Sequence, residues 1–273
     1  MFYEESGEGE TVVLIGGMGA DHGIWDGLVP LLHGYRCIAP DNRGSGQTLY
    51  DGDFRIDDIA DDVVGLMDLL GIDRFHAVGW SMGTQVCMSL GIRHPDRLGT
   101  ATMIAPFVRL PRKSAYLLRA FSDISLSKNG DLFPMHVAVT AFSLTESQFE
   151  GFGDQGPPVP ERFQDPVGVR RQIDAMERFD PGDGLCGISA PVLVVQGGED
   201  ILVPVRTAQS VRDALRDCTY VEVADAGHAV PPGSYAGDLR RFLADNPLRR
   251  LFSNRPGPIS GPKRGSAPAT HPA

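Results

Sequence analysis

The sequence predicts an α/β fold: a mostly parallel central sheet flanked by helices, carrying one helical insertion. Three observations predict it. Short apolar runs of strand length alternate with segments whose apolar residues recur every three or four positions. Gly71 and Pro95 stand where two of the helical segments should end. The alternation stops over residues 107–185 and then resumes.

Taken in order, TVVLIG (11–16) and YRCIAP (35–40) read as buried strands. In IDDIADDVVGLMDLLG (56–71), Ile56, Ile59, Ala60, Val63, Leu66, Met67 and Leu70 fall at helical spacing. Asp57 and Asp58 near its start suit the positive end of the helix dipole, and Gly71 is placed to end it. FHAVGW (75–80) is a strand, and MGTQVCMSLGIRH (82–94) a helix stopped by Pro95. GTATMIAP (99–106) and APVLVVQG (190–197) are further strands, followed by a helix over 204–215, the strand TYVEVAD (219–225) and a helix over 234–244. Such a series implies helices on both faces of the sheet.

The 107–185 interval contains the helical pieces KSAYLLRAF and GVRRQIDAMERF, separated by the loop-like FGDQGPPVPERF. It shows no strand, so we read it as a helical cap over one end of the sheet, with 1–106 and 186–246 forming the core. A separate domain is the alternative, although no flexible linker flanks the interval. The stretch 247–273 is rich in Pro, Gly and Ser, with Arg249, Arg250, Arg255, Lys263 and Arg264. Its low apolar content predicts disorder beyond Asn254, either as a solvated tail or as a basic contact arm.

Across 273 residues, 42% hydrophobic and 22% charged composition fits a globular protein with a substantial core. A formal net charge of −10 disfavours nucleic-acid or anionic-membrane binding. No apolar run reaches the ~18 residues of a membrane span. The acidic opening MFYEESGEGE lacks the basic-then-apolar order of a signal peptide, so the expected location is the cytoplasm. Cys37, Cys87, Cys186 and Cys218 form no C-x-x-C pair, and three of the four lie in apolar stretches. Buried free thiols are the expectation, with no metal and no cofactor.

The chemistry is expected at Ser81. In AVGWSMGT the serine stands in G-x-S-x-G, after a strand and before a helix. That setting forces a tight turn and exposes the hydroxyl at a helix N-terminus, where free N–H groups face developing negative charge. A plain capping serine is the alternative reading. A nucleophilic serine needs a base and an orienting carboxylate. Of the seven histidines, His228 in ADAGHAVPP directly follows a strand, at the sheet end where Ser81 emerges. The acid is expected after PVLVVQGG, at Asp200, with Glu199 as its rival. The strand after the nucleophile helix ends MIAPF and offers no carboxylate. Met82 N–H and Met18 N–H, in LIGGMGADHGIW, are the expected oxyanion donors, and Met18 and Trp80 the expected substrate contacts. GGMGAD fits neither G-x-G-x-x-G nor a phosphate loop, which argues against a nucleotide site.

GGMG, DNRGSG, GWSMGT, GGED…VP and GHAV, in that order over roughly residues 1–246, resemble the α/β-hydrolase family. The resemblance implies about eight strands, fewer here if the opening hairpin is reduced, and a cap inserted after the sixth; DNRGSG matches a loop with a structural role. Within the family the chain resembles small bacterial esterases, enol-lactonases and cofactor-free haloperoxidases. Gly16-Gly17 replaces the family's usual His-Gly, and Trp80 a commoner His or Phe. Neither change removes a backbone donor.

The expected activity is hydrolysis of an ester, thioester or lactone of a small, moderately hydrophobic substrate through an acyl-enzyme. Leu117, Leu118, Phe121, Leu132, Phe133, Met135 and Phe142 supply apolar surface in the cap, most of it expected to pack the cap onto the sheet. The alternatives are perhydrolysis, non-hydrolytic chemistry such as C–C cleavage, cyclisation or cofactor-free oxygenation, and a ligand sensor that recruits a protein.

Overall fold

The computed structural model describes residues 1–127, 131–159 and 164–248. The predicted disorder beyond Asn254 lies outside the described residues. Seven strands form one sheet: β1 (Tyr3–Ser6), β2 (Glu10–Ile15), β3 (Tyr35–Pro40), β4 (Phe75–Trp80), β5 (Leu98–Ile104), β6 (Val192–Gly197) and β7 (Cys218–Val223), in spatial order β1-β3-β2-β4-β5-β6-β7. All neighbours are parallel except β1, which runs antiparallel to β3. Among the described residues the sheet has seven strands, the shortened form that a reduced opening hairpin allows, so the insertion follows the fifth strand rather than the sixth. β1 escapes a pattern reading because it is a polar, largely exposed edge, tied down by Glu5 to Arg36 at 2.7 Å.

Alternation along the strands divides the core in two. Val13 and Ile15 face one side, with α1 (Ile56–Leu69), α2 (Met82–Arg93) and α7 (Val205–Ala214). Val12 and Leu14 face the other, against Trp25, Leu28 and α8 (Pro232–Asp245). Central strands buried on both faces explain why their sequences read as continuous apolar runs.

Between β5 and β6, which pair directly from Ala101↔Val192 to Ile104↔Val195, come α3 (Arg112–Ser127), α4 (Phe133–Ser143), α5 (Glu146–Glu150) and α6 (Pro166–Arg178). The sequence gives no stripe for α4, because its apolar residues lie all round the helix and Phe133, Val137 and Phe142 face outward. α6 seats on the core at one close approach: Gly44, at φ +77°, meets Gly168 so tightly that a Cβ on Gly44 would lie 2.8 Å from the Gly168 Cα. The cysteine expectation is corrected. All four are free, yet only Cys37 and Cys87 are buried, Cys218 being half-buried and Cys186 exposed. Burial pushes the Cys37 thiol up to about 11, far from a reactive value.

Candidate active site

Parallel strands send their following loops to one end of the sheet, and that brings residues distant in sequence together. Ser81 sits between β4 and α2 with φ 53° and ψ −114°, a conformation costly for a residue with a side chain. Neighbouring bonds hold it there. Its N–H donates to Ile104 O at 2.9 Å, while its carbonyl accepts from Thr84 N at 2.9 Å and from Thr84 Oγ1 at 2.6 Å. Both glycines of the motif are sterically required. A Cβ on Gly79 would stand 2.3 Å from Gly83 O, and one on Gly83 2.2 Å from Ile15 O. Ala105, at φ 54°, is a second strained residue at this end of the sheet, with its N–H bonded to Val195 O at 2.8 Å. Nothing in its local sequence marks it.

His228 Nε2 lies 2.9 Å from Ser81 Oγ, and His228 Nδ1 lies 2.8 Å from Asp200 Oδ2. His228 and Asp200 are 5% and 4% exposed, so water competes little for these contacts. Asp200 Oδ1 accepts from Leu202 N at 2.9 Å and Val203 N at 2.8 Å, and Gln196 Nε2 donates to Oδ2 at 3.3 Å. The rival Glu199 is exposed. Leu202 and Val203 belong to the same turn as Asp200, whereas Gln196, buried inside β6, lies outside it and nothing in the sequence marks it.

Trp80 donates from Nε1 to His228 O at 3.0 Å, with its ring 5.5 Å from the imidazole. Gly17 lies against this wall: a Cβ there would meet Trp80 Cε3 at 2.9 Å and Ser81 Cβ at 3.3 Å. Met82 opens α2, so its N–H has no carbonyl within the helix. Met18 lines the same cavity as Ser81 and His228. Gln172 from α6 reaches the Met18 loop, accepting from Gly19 N at 2.7 Å while donating to Arg43 O at 2.8 Å and Ser45 Oγ at 2.7 Å.

The cavity at Ser81 has a volume of about 40 Å³, and its apolar walls include Leu110, Leu118, Val139 and Met176. A larger one of about 250 Å³ shares Met18 and Val139 with it and adds Leu132, Met135, Asp21 and Gln164. Of the apolar residues expected in the cap, Leu118, Leu132 and Met135 line these spaces, whereas Phe133 and Phe142 are exposed.

The remaining described histidines stand apart from the serine. His22 bonds Asp41 at 2.8 Å, His76 bonds Thr100 at 2.9 Å, His94 bonds Asp61 at 2.7 Å, His33 lies 3.4 Å from Arg240, and His136 lines the larger cavity. Among the described residues no group of three or more His, Cys, Asp or Glu could hold a metal ion, and no helix is long and apolar enough to cross a membrane.

A family model described as alpha/beta hydrolase fold matches residues 10–149. A Mycobacterium tuberculosis protein described as a non-heme bromoperoxidase, BpoC, is 30% identical over 83% of this chain and 89% of its own length. Its crystal structure superposes with a TM-score of 0.78 at 26% identity, covering 90% of this chain and 96% of that one. A Pseudomonas syringae protein described as a carbamate hydrolase, RutD, is 26% identical over 90% of this chain and 100% of its own length. The pimeloyl-[acyl-carrier protein] methyl ester esterase of Neisseria meningitidis is 28% identical over 97% of this chain and 89% of its own length. With the sheet order, the strained serine turn and these likenesses in agreement, the chain belongs to the alpha/beta hydrolase fold family.

Proposed function

We propose that the protein is a serine hydrolase cleaving an ester, thioester or lactone of a small, moderately hydrophobic substrate through an acyl-enzyme. One observation carries the reading: an unbroken contact from Ser81 Oγ through the His228 ring to Asp200, at 2.9 and 2.8 Å. His228 Nε2 takes the Ser81 proton as Oγ attacks the carbonyl carbon, and the oxyanion faces the Met18 and Met82 N–H groups. Asp200 keeps the proton on Nδ1, which leaves Nε2 free to act as base, and stabilises the imidazolium. Collapse expels the alcohol or thiol, protonated by His228; for a lactone it stays attached to the acyl chain. Water, deprotonated by His228, then attacks the acyl-enzyme and releases the acid. Apolar walls at Ser81, with Met18 and Trp80 among them, support a hydrophobic group next to the scissile carbonyl.

The test is a panel of p-nitrophenyl esters, thioesters, lactones and carbamates, assayed on wild type beside Ser81→Ala. Turnover should fall by several powers of ten in the variant, and a fluorophosphonate should label Ser81 in the wild type. Full activity without Ser81 overturns the reading. The likeness to a protein described as a bromoperoxidase favours one second reading, perhydrolysis, in which peroxide replaces water in deacylation. Peroxyacid formation from an ester and hydrogen peroxide would reveal it.

A further inference from the structure

The loop carrying His228 does not hold itself. Its backbone is bracketed by one side chain of the inserted segment, Gln148 on α5. Gln148 Oε1 accepts from Gly227 N at 2.9 Å, the residue before His228, and Gln148 Nε2 donates to Ala229 O at 2.8 Å, the residue after it. The amide can sit only one way round. Its oxygen faces two N–H donors, Gly227 and Thr145 (2.9 Å), and its NH2 faces a carbonyl, so the reverse orientation would set donor against donor and oxygen against oxygen. Gln148 is itself fixed by a reciprocal cap, its N–H donating to Thr145 Oγ1 at 3.1 Å. The same segment adds a third grip, since Ala229 N donates to Ser143 O at 2.9 Å. Gly227 lies so close that a Cβ there would be 2.5 Å from Ser143 O.

We propose that Gln148 is a positioning residue for His228, so that the inserted segment sets the alignment of the base as well as covering the site. The inference rests on the serine-hydrolase reading above. A His228 loop free to shift by a fraction of an ångström would lengthen the contacts to Ser81 and Asp200 while leaving the apolar walls of the cavity, Leu110, Leu118, Val139 and Met176, in place. The loss should therefore fall on kcat rather than on KM.

The experiment compares Gln148→Ala, Gln148→Glu and Glu150→Ala, assayed with p-nitrophenyl acetate and a fluorophosphonate. Gln148→Ala should lower kcat on the order of 10- to 100-fold with KM within about threefold, and slow Ser81 labelling in proportion. Gln148→Glu keeps the acceptor for Gly227 and Thr145 but sets a carboxylate oxygen against Ala229 O, so kcat should fall for it too, with KM again within about threefold. Glu150→Ala, on the same short helix but pointing away, should stay within about twofold of wild type. Circular dichroism and Tm check folding; should Gln148→Ala not fold, the Glu variant must still show a lowered kcat with slower labelling and KM within about threefold. Wild-type kcat in Gln148→Ala, a loss residing in KM, or an equal loss in Glu150→Ala overturns the proposal. If Ser81→Ala is inactive while Gln148→Ala matches wild type, only the positioning role falls; if Ser81→Ala is active, the hydrolase reading falls first.

Discussion

Replacing Asp200 by asparagine separates charge and tautomer from shape. Asp200 uses its two oxygens differently: Oδ1 accepts two backbone N–H groups, at 2.9 and 2.8 Å, and Oδ2 faces His228 Nδ1 at 2.8 Å. In Asp200→Asn the amide oxygen must stay on the two backbone donors, because turning the NH2 toward them would leave both unsatisfied in a buried site. The NH2 group then points at His228 Nδ1. An imidazole that accepts at Nδ1 carries its proton on Nε2, directed at Ser81 Oγ, where the proposed mechanism requires a base. The side chain keeps its place, yet the ring is locked in the wrong tautomer. The expected loss in kcat is about 10⁴-fold, or roughly 5 kcal/mol in the barrier. The two backbone bonds survive and only the 3.3 Å contact from Gln196 Nε2 to Oδ2 is lost, so Tm should fall only slightly. Steady-state hydrolysis of p-nitrophenyl acetate measures the first quantity and a thermal melt the second. A variant within tenfold of wild type, with Tm unchanged, would refute the tautomer argument.

Two further outcomes follow from contacts elsewhere in the fold. Gly83→Ala places a methyl 2.2 Å from Ile15 O and should cost about 1–3 kcal/mol or more, seen as a lower denaturation midpoint; an unchanged midpoint would contradict the steric account of the motif. At His22, burial pulls the imidazole down, but its hydrogen bond to Asp41 and the charges of Asp41, Glu4 and Asp21 outweigh this, so it is held above its ordinary 6.5. That stabilisation is complete below 6.5 and disappears as pH rises through the raised folded value. The Tm advantage of wild type over His22→Gln should therefore shrink with rising pH, and a gap that widens would contradict it.

Much of the fold is legible because central strands and amphipathic helices write their burial into the sequence. β2, β4, β5 and β6 stand within two residues of their sequence-predicted limits, as do α1, α2 and α7. β1 and α4 leave no such trace: one is a polar edge, the other a helix with no single apolar face. Ser81, His228 and Asp200 could be singled out because motif, neighbouring strand and residue type coincide at each of them.

By itself, then, the sequence determined the alternating architecture, the strained turn at Ser81, which histidine could meet it, and the adjacent pair Glu199-Asp200 from which the carboxylate would come. Only the tertiary structure decided that Asp200 rather than Glu199 turns inward, since that depends on the Leu202 and Val203 N–H groups closing round Oδ1. It alone decided that Gln148 grips the His228 loop and Gln172 the Met18 loop. The reason is physical. Burial repeats along a chain with the period of its helices and strands, whereas a hydrogen bond between residues 79 or 153 positions apart leaves no periodic mark on either of them.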